Sequence, residues 1–135
     1  MISAIFSLAC MLNPKDTPII GTYVSDRDRT LEEIRNRTDI DASHRELFER
    51  ADFFGNLEVT YEPQKIISND GQVKSSEPYK VIDVHNEYVL IKNFNRALKH
   101  FETSKIYFDD KWIWMDTSKY HFMEYFKRRE GSETE

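Results

Sequence analysis

From Asn56 onward the apolar residues of this 135-residue chain recur at every second position. That spacing belongs to strands, because successive side chains of an extended chain point to opposite faces. Leu57, Val59 and Tyr61 alternate with Glu58, Thr60 and Glu62, which predicts a half-buried strand ended by Pro63. Residues 65–68 predict the next strand. Asn69-Asp70-Gly71 then gives a turn signal, since a type I′ turn needs positive φ and Asp-Gly supplies it. Residues 73–84 predict a further strand, in which Pro78 withholds a ladder donor and so predicts a bulge or an edge. His85-Asn86, residues 95–98, Asp109-Asp110 and residues 116–118 are the turns between strands predicted over 88–94, 101–108, 112–115 and 120–128.

The first third of the chain reads differently. Ile19-Ile20-Gly21-Thr22-Tyr23-Val24 is a strand by its β-branched and aromatic content. Two helical segments follow, at about residues 31–37 and 44–54. Thr30 and Glu33 have the spacing of a capping box, and so do Ser43 and Glu46, with Asp41 a rival cap for the second helix. Leu31 and Ile34, then Leu47, Phe48, Ala51 and Phe54, form apolar faces that need a partner surface, and Gly55 is placed to close the second helix. Residues 120–128 are apolar on both faces, which predicts that the helices cover that strand from outside. The fold class is mainly β: an eight-stranded antiparallel up-and-down barrel with two short helices between the first and second strands. Closure requires the first and last strands to pair, since nothing else removes their edges. Tyr23 should then lie beside the last strand, with Arg128 or Lys127 over its ring.

The ends lie outside this pattern. Residues 1–12, MISAIFSLACML, are too few to cross a bilayer as a helix. They resemble the apolar core of a secretion signal, and Ser7-Leu8-Ala9-Cys10 looks like a bacterial lipobox, whose cysteine is lipidated and anchors the chain to a membrane. The alternative is a short docked strand or helix in which Cys10 is an inert apolar residue. Pro14 and Pro18 mark a linker. The expected organisation is an N-terminal segment and linker over 1–17, a barrel domain over 18–129 and a charged, disordered tail over 130–135.

The order of elements is similar to that of small bacterial lipocalin-like proteins. The resemblance runs from Gly21 to about Arg128. It rests on Gly21-Thr22-Tyr23-Val24-Ser25-Asp26 before the helix start at Thr30-Leu31, and on Phe54-Gly55-Asn56-Leu57-Glu58-Val59-Thr60-Tyr61. Pro78-Tyr79-Lys80-Val81-Ile82, Trp112-Ile113-Trp114 and Glu124-Tyr125-Phe126-Lys127-Arg128 complete it. Tyr23 stands where lipocalins carry a tryptophan. The resemblance implies the barrel, a basic residue on the last strand, a small hydrophobic ligand and, from the lipobox, a place in the bacterial cell envelope or periplasm. The alternative location is the cytoplasm.

Chemistry-bearing motifs are sparse. A net charge of −5 disfavours a general nucleic-acid binder. One cysteine excludes an intrachain disulfide and a cysteine-rich zinc site. His44, His85, His100 and His121 have no ligand spacing, so no metal is expected. Glu32-Glu33 and Asp109-Asp110 sit on a helix and in a turn, where carboxylates stay solvated, so no catalytic residue and no cofactor are expected either. The arginines of the helical part alternate with acids, as in a salt-bridged surface. What remains is the aromatic second half. Trp112 and Trp114 share one face of their strand, and with Tyr88 and Tyr107 they are the candidate ligand-binding residues. If that face looks inward, the four line the barrel. If it looks outward, they form an apolar patch for a protein partner, as in an inhibitor, immunity or assembly factor.

Overall fold

The computed structural model describes residues 17–50, 54–95, 98–116 and 122–129. Strands β1 (Gly21–Ser25), β2 (Glu58–Tyr61), β3 (Lys65–Asn69), β4 (Lys74–Val84), β5 (Tyr88–Asn95), β6 (His100–Phe108), β7 (Trp112–Asp116) and β8 (Met123–Arg128) pair antiparallel in sequence order and close into a barrel. Helices α1 (Arg27–Arg35) and α2 (Ala42–Arg50) lie between β1 and β2 in the chain. The segment of residues 1–12, with Cys10, lies outside the described residues.

Closure is made by β1 against β8, with Tyr23 opposite Arg128 and Ser25 opposite Phe126. The Arg128 guanidinium stands 5.0 Å from the centroid of the Tyr23 ring. It also donates hydrogen bonds to the carbonyls of Ile20 and Pro18. Gly21, at φ +142°, leaves the space: a Cβ there would come within 2.8 Å of Arg128 Nη1. Of the two cations expected near Tyr23, Lys127 turns outward instead, over Trp112.

The helices begin earlier than the capping boxes imply. Asp26 caps α1, its side chain accepting from the Arg29 backbone N–H. Thr30 is therefore inside the helix, fully buried, and its hydroxyl accepts the Tyr125 backbone N–H. That bond continues the edge of β8 past the point where β1 ends. For α2 the rival wins: Asp41 accepts from the His44 backbone N–H and from the Ser43 hydroxyl. Leu31, Ile34, Ile40, Phe48 and Phe54 converge on Phe122, just before β8. Phe122 meets Phe48 at 5.4 Å and Phe54 at 5.8 Å, both edge-to-face. Leu47 departs from the expected apolar face and is 45% exposed, while Phe48, one position and about 100° further round the helix, is the residue that packs inward. Ala51 lies outside the described residues.

Two turn expectations also shift. The β3–β4 connection is a four-residue loop, 70–73, and not a two-residue turn, because the Asp70 carboxylate itself accepts the N–H groups of Gln72 and Val73. Of the bulge or edge expected at Pro78, the bulge falls at Ile82, where the β4–β5 register shifts between Val81 and Asp83, and Pro78 itself has no register partner on the β5 side. Pro78 marks instead the place where β4 changes neighbour. Residues 74–78 pair with β3, and pairing with β5 begins at Tyr79.

Ile19, Tyr23, Val59, Val89, Ile91, Ile106, Ile113 and Phe126 fill the lumen and are buried. Tyr23, Tyr61 and Tyr79 stack edge-on through the middle, at 6.3 and 5.8 Å. On β3 to β6 other inward-facing residues are polar and half-buried, among them Ser68, Ser75, Glu77, Asn93 and Glu102. There Ser104 Oγ donates to Asn93, and Asn95 Nδ2 donates to Glu102.

Two outcomes test this packing. Phe48→Ala should cost about 3–5 kcal/mol of stability by chemical denaturation, as for a buried core ring. A loss below about 1 kcal/mol would place the ring at the surface. Burial, with a smaller push from neighbouring tyrosines, raises the Tyr79 hydroxyl to about 12 and Tyr61 further still. Because the folded values are raised, their contribution to stability is complete below about pH 10 and is lost as pH rises through the folded values. Phenolate absorbance should show Tyr61 and Tyr79 ionising only as the barrel unfolds in alkali, and Tyr79→Phe should flatten the alkaline limb of the stability curve. All seven tyrosines ionising together near their ordinary value would contradict it.

Candidate functional site

Strand parity decides which way the candidate residues face. Ile113 is fully buried between Trp112 and Trp114, so both tryptophans lie on the outside of β7. Tyr88 flanks buried Val89, and Tyr107 flanks buried Ile106, so they too face outward. The lumen behind them is occupied by Val89, Ile106, Ile113 and Phe126.

Register brings three of the four into one row. Tyr88 is opposite Tyr107, Tyr107 opposite Trp114, and Trp114 opposite Tyr125. The rings follow: Tyr88–Tyr107 meet edge-on at 5.8 Å, Tyr107–Trp114 stack at 6.0 Å and 11°, and Trp114–Tyr125 stack at 5.6 Å and 21°. Cross-strand aromatic pairs of this kind each contribute roughly 0.2–1 kcal/mol relative to alanines. The row matters most between β6 and β7, where only two residue pairs are in register. All four rings remain half-exposed.

Cations frame the row. Arg29 reaches from α1 over both Trp112 and Tyr125, at 4.4 and 4.5 Å. Lys127 stands 5.8 Å above Trp112, and Lys105 stands 4.5 Å above Tyr88 and 5.7 Å above Tyr107. His85 stacks on Tyr88 at 4.4 Å and pairs with Asp83 at 2.9 Å. Burial raises the Tyr125 hydroxyl. Glu33 and Glu32 of α1 add to the rise, and Arg29 opposes it. An open hollow of about 420 Å³ lies beside Trp112, bounded by Arg29, Asp109, Asp110 and Lys111.

Tyr125, Arg29, Lys105 and Lys127 belong to this site although the sequence reading did not place them there. Tyr125 was legible in principle, since it shares parity with Lys127 on β8. Arg29 was not, because its place depends on how α1 packs against β8.

Asp39 is held below the usual carboxylate range by Arg37, Asp41 by the His44 backbone N–H, and Asp70 by the N–H groups of Val73 and Gln72. Buried Glu124 accepts from Ser25 Oγ, which in turn accepts the Gly55 N–H, so that carboxylate ties β8 to β1 and the chain entering β2. No group of three or more His, Cys, Asp or Glu poised for a metal occurs among the described residues. No family model matches the chain, and no curated protein or solved structure resembles it significantly.

Arg29→Gln should lower stability by about 1 kcal/mol, the range of a partly shielded cation–π contact. It should also shift the tryptophan emission, since the guanidinium covers Trp112. Unchanged emission would show that Arg29 does not hold that position in solution.

Proposed function

We propose that the protein is a non-catalytic, lipocalin-like binding barrel of the bacterial cell envelope, and that its outer wall receives a protein partner. The observation that carries this reading is the row of four half-exposed rings in direct register across β5 to β8. Aromatic surface of this kind is what protein interfaces concentrate at their centres. Lys105 and Lys127 stand over the rings and make no ion pair among the described residues, so the partner presents acidic groups around an apolar centre. The envelope location rests on the apolar run ending at Cys10, which would be the lipidated mature N-terminus.

A second reading places a small hydrophobic ligand in the barrel against the aromatic layer of Tyr23, Tyr61 and Tyr79. On that reading the tyrosine layer would form the floor of the site.

A photo-crosslinking residue placed at 105 or 127 in the native host should capture one protein, while the same residue at Lys74 on β4 should not. Lys105→Glu and Lys127→Glu should then weaken binding of that purified partner more than Lys105→Gln and Lys127→Gln, which lose the same ring contacts without reversing the charge. Equal capture from Lys74, or a partner indifferent to both charge reversals, would remove the outer-wall reading. The intact mass of the same material tests the location: lipid on Cys10 with residues 1–9 removed is expected, and an unmodified Met1 would overturn it.

A further inference from the structure

Where β4 changes neighbour, the barrel wall divides. The β4–β5 register runs from Val84 opposite Val89 to Tyr79 opposite Asn93. Beyond that point β4 continues with β3 as far as Lys74, and β5 continues with β6 as far as His100. On the outer face at this division lies a groove of about 490 Å³, lined by Gln64, Pro78, Tyr79, Lys80, Lys92 and Phe101. Its volume falls within the range of small-molecule sites, roughly 300–1,000 Å³.

One feature of the groove works against the stability of the free protein, and a second leaves an aromatic ring open to a ligand. Lys80 and Lys92 are direct register partners, and like charges set opposite each other on a sheet repel. Phe101 is 54% exposed, with Lys92 Nζ 5.6 Å from its ring centroid. Among the described residues neither lysine has an ion pair and no carboxylate lines the groove, although the chain holds 24 acids against 19 Lys and Arg. An anion between the two ammonium groups turns the repulsion into two attractions. The flat surfaces of Phe101 and Pro78 then receive an apolar ring.

We propose that this groove binds a small aromatic anion, its charged group between Lys80 and Lys92 and its ring against Phe101 and Pro78. The site is separate from the aromatic row, shares only Tyr79 with the lumen, and stands whether or not the outer wall receives a partner protein.

Naphthalene carboxylate titrated into the full chain, followed by calorimetry and backbone-amide NMR, tests this. The expected result is saturable binding, with shifts centred on Lys80, Lys92 and Phe101. Neutral naphthylmethanol and cationic naphthylmethylammonium should bind roughly tenfold more weakly or less, the scale of losing a charged contact. Lys80→Gln and Lys92→Gln should each weaken the carboxylate by roughly tenfold, while the melting temperature of the ligand-free Lys80→Gln protein stays level or rises as the repulsion is relieved. A purely structural role for the lysines would not separate those two readouts. Naphthylmethanol binding as tightly as the carboxylate would overturn the proposal. So would shifts centred on Val89 and Ile106 in the lumen or on Trp114 in the outer row, lysine variants that bind normally, or no saturable binding.

Discussion

An up-and-down sheet of eight strands is stable only when its two outermost strands meet, and here that meeting depends on Arg128. The side chain crosses from the last strand to the first. It covers the Tyr23 ring and donates to two carbonyls of the segment that leads into β1. Gly21 makes the approach possible, since any Cβ there would meet the guanidinium. Beneath it, Tyr23 donates to the Ile19 carbonyl, and Ile19 is buried. Closure and the filling of this end of the lumen are thus the same set of contacts.

The rest of the architecture follows from β1 being short. At Ser25 its ladder with β8 stops, and three residues of β8 would lose their partner on that side. Asp26 and Thr30 supply backbone and side-chain groups that continue it, so α1 is in effect a substitute edge. That placement brings Arg29 over Trp112 and Tyr125 and carries the apolar faces of both helices onto Phe122. The aromatic row outside β7 and the helical cluster before β8 therefore share one origin. The division between β4 and β5 has another: an eleven-residue strand bends from one neighbour to the next at a proline that has no N–H to donate. The two candidate binding surfaces sit at these two irregularities of an otherwise regular barrel.

Most of the barrel was readable because the signals behind it are local. Alternation of Leu57, Val59 and Tyr61 defines a strand by itself, and Asp109-Asp110 reads as a turn because the Asp109 carboxylate accepts the next free N–H groups. Expectations moved where two local signals competed. Thr30 and Ser43 both had capping-box spacing, but Asp26 and Asp41 stood upstream with carboxylates, and a charged acceptor makes the stronger hydrogen bond to a free N–H. Leu47 was expected beside Phe48 on the packed face, but the narrow contact of the second helix with Phe54 and Phe122 takes only Phe48. Asn69-Asp70-Gly71 carried a hairpin signal, but the Asp70 side chain closed a longer loop.

The sequence by itself determined the strands, their order, the two helices and the closure of the sheet. Each follows from side-chain periodicity, from turn chemistry, or from the requirement that backbone groups at sheet edges find partners. It also determined that Trp112 and Trp114 share a face, since residues two apart on a strand always do. It could not determine which face. Alternation in β7 is apolar on both sides, with Ile113 and the tryptophans equally suited to burial. Only register with β6 and β8, and the volume already filled by Val89, Ile106 and Phe126, turns the tryptophans outward. The pairing of Lys80 with Lys92 is likewise a fact of tertiary structure. A bulge at Ile82 shifts the β4–β5 register by one residue, and no local property of either lysine announces the other.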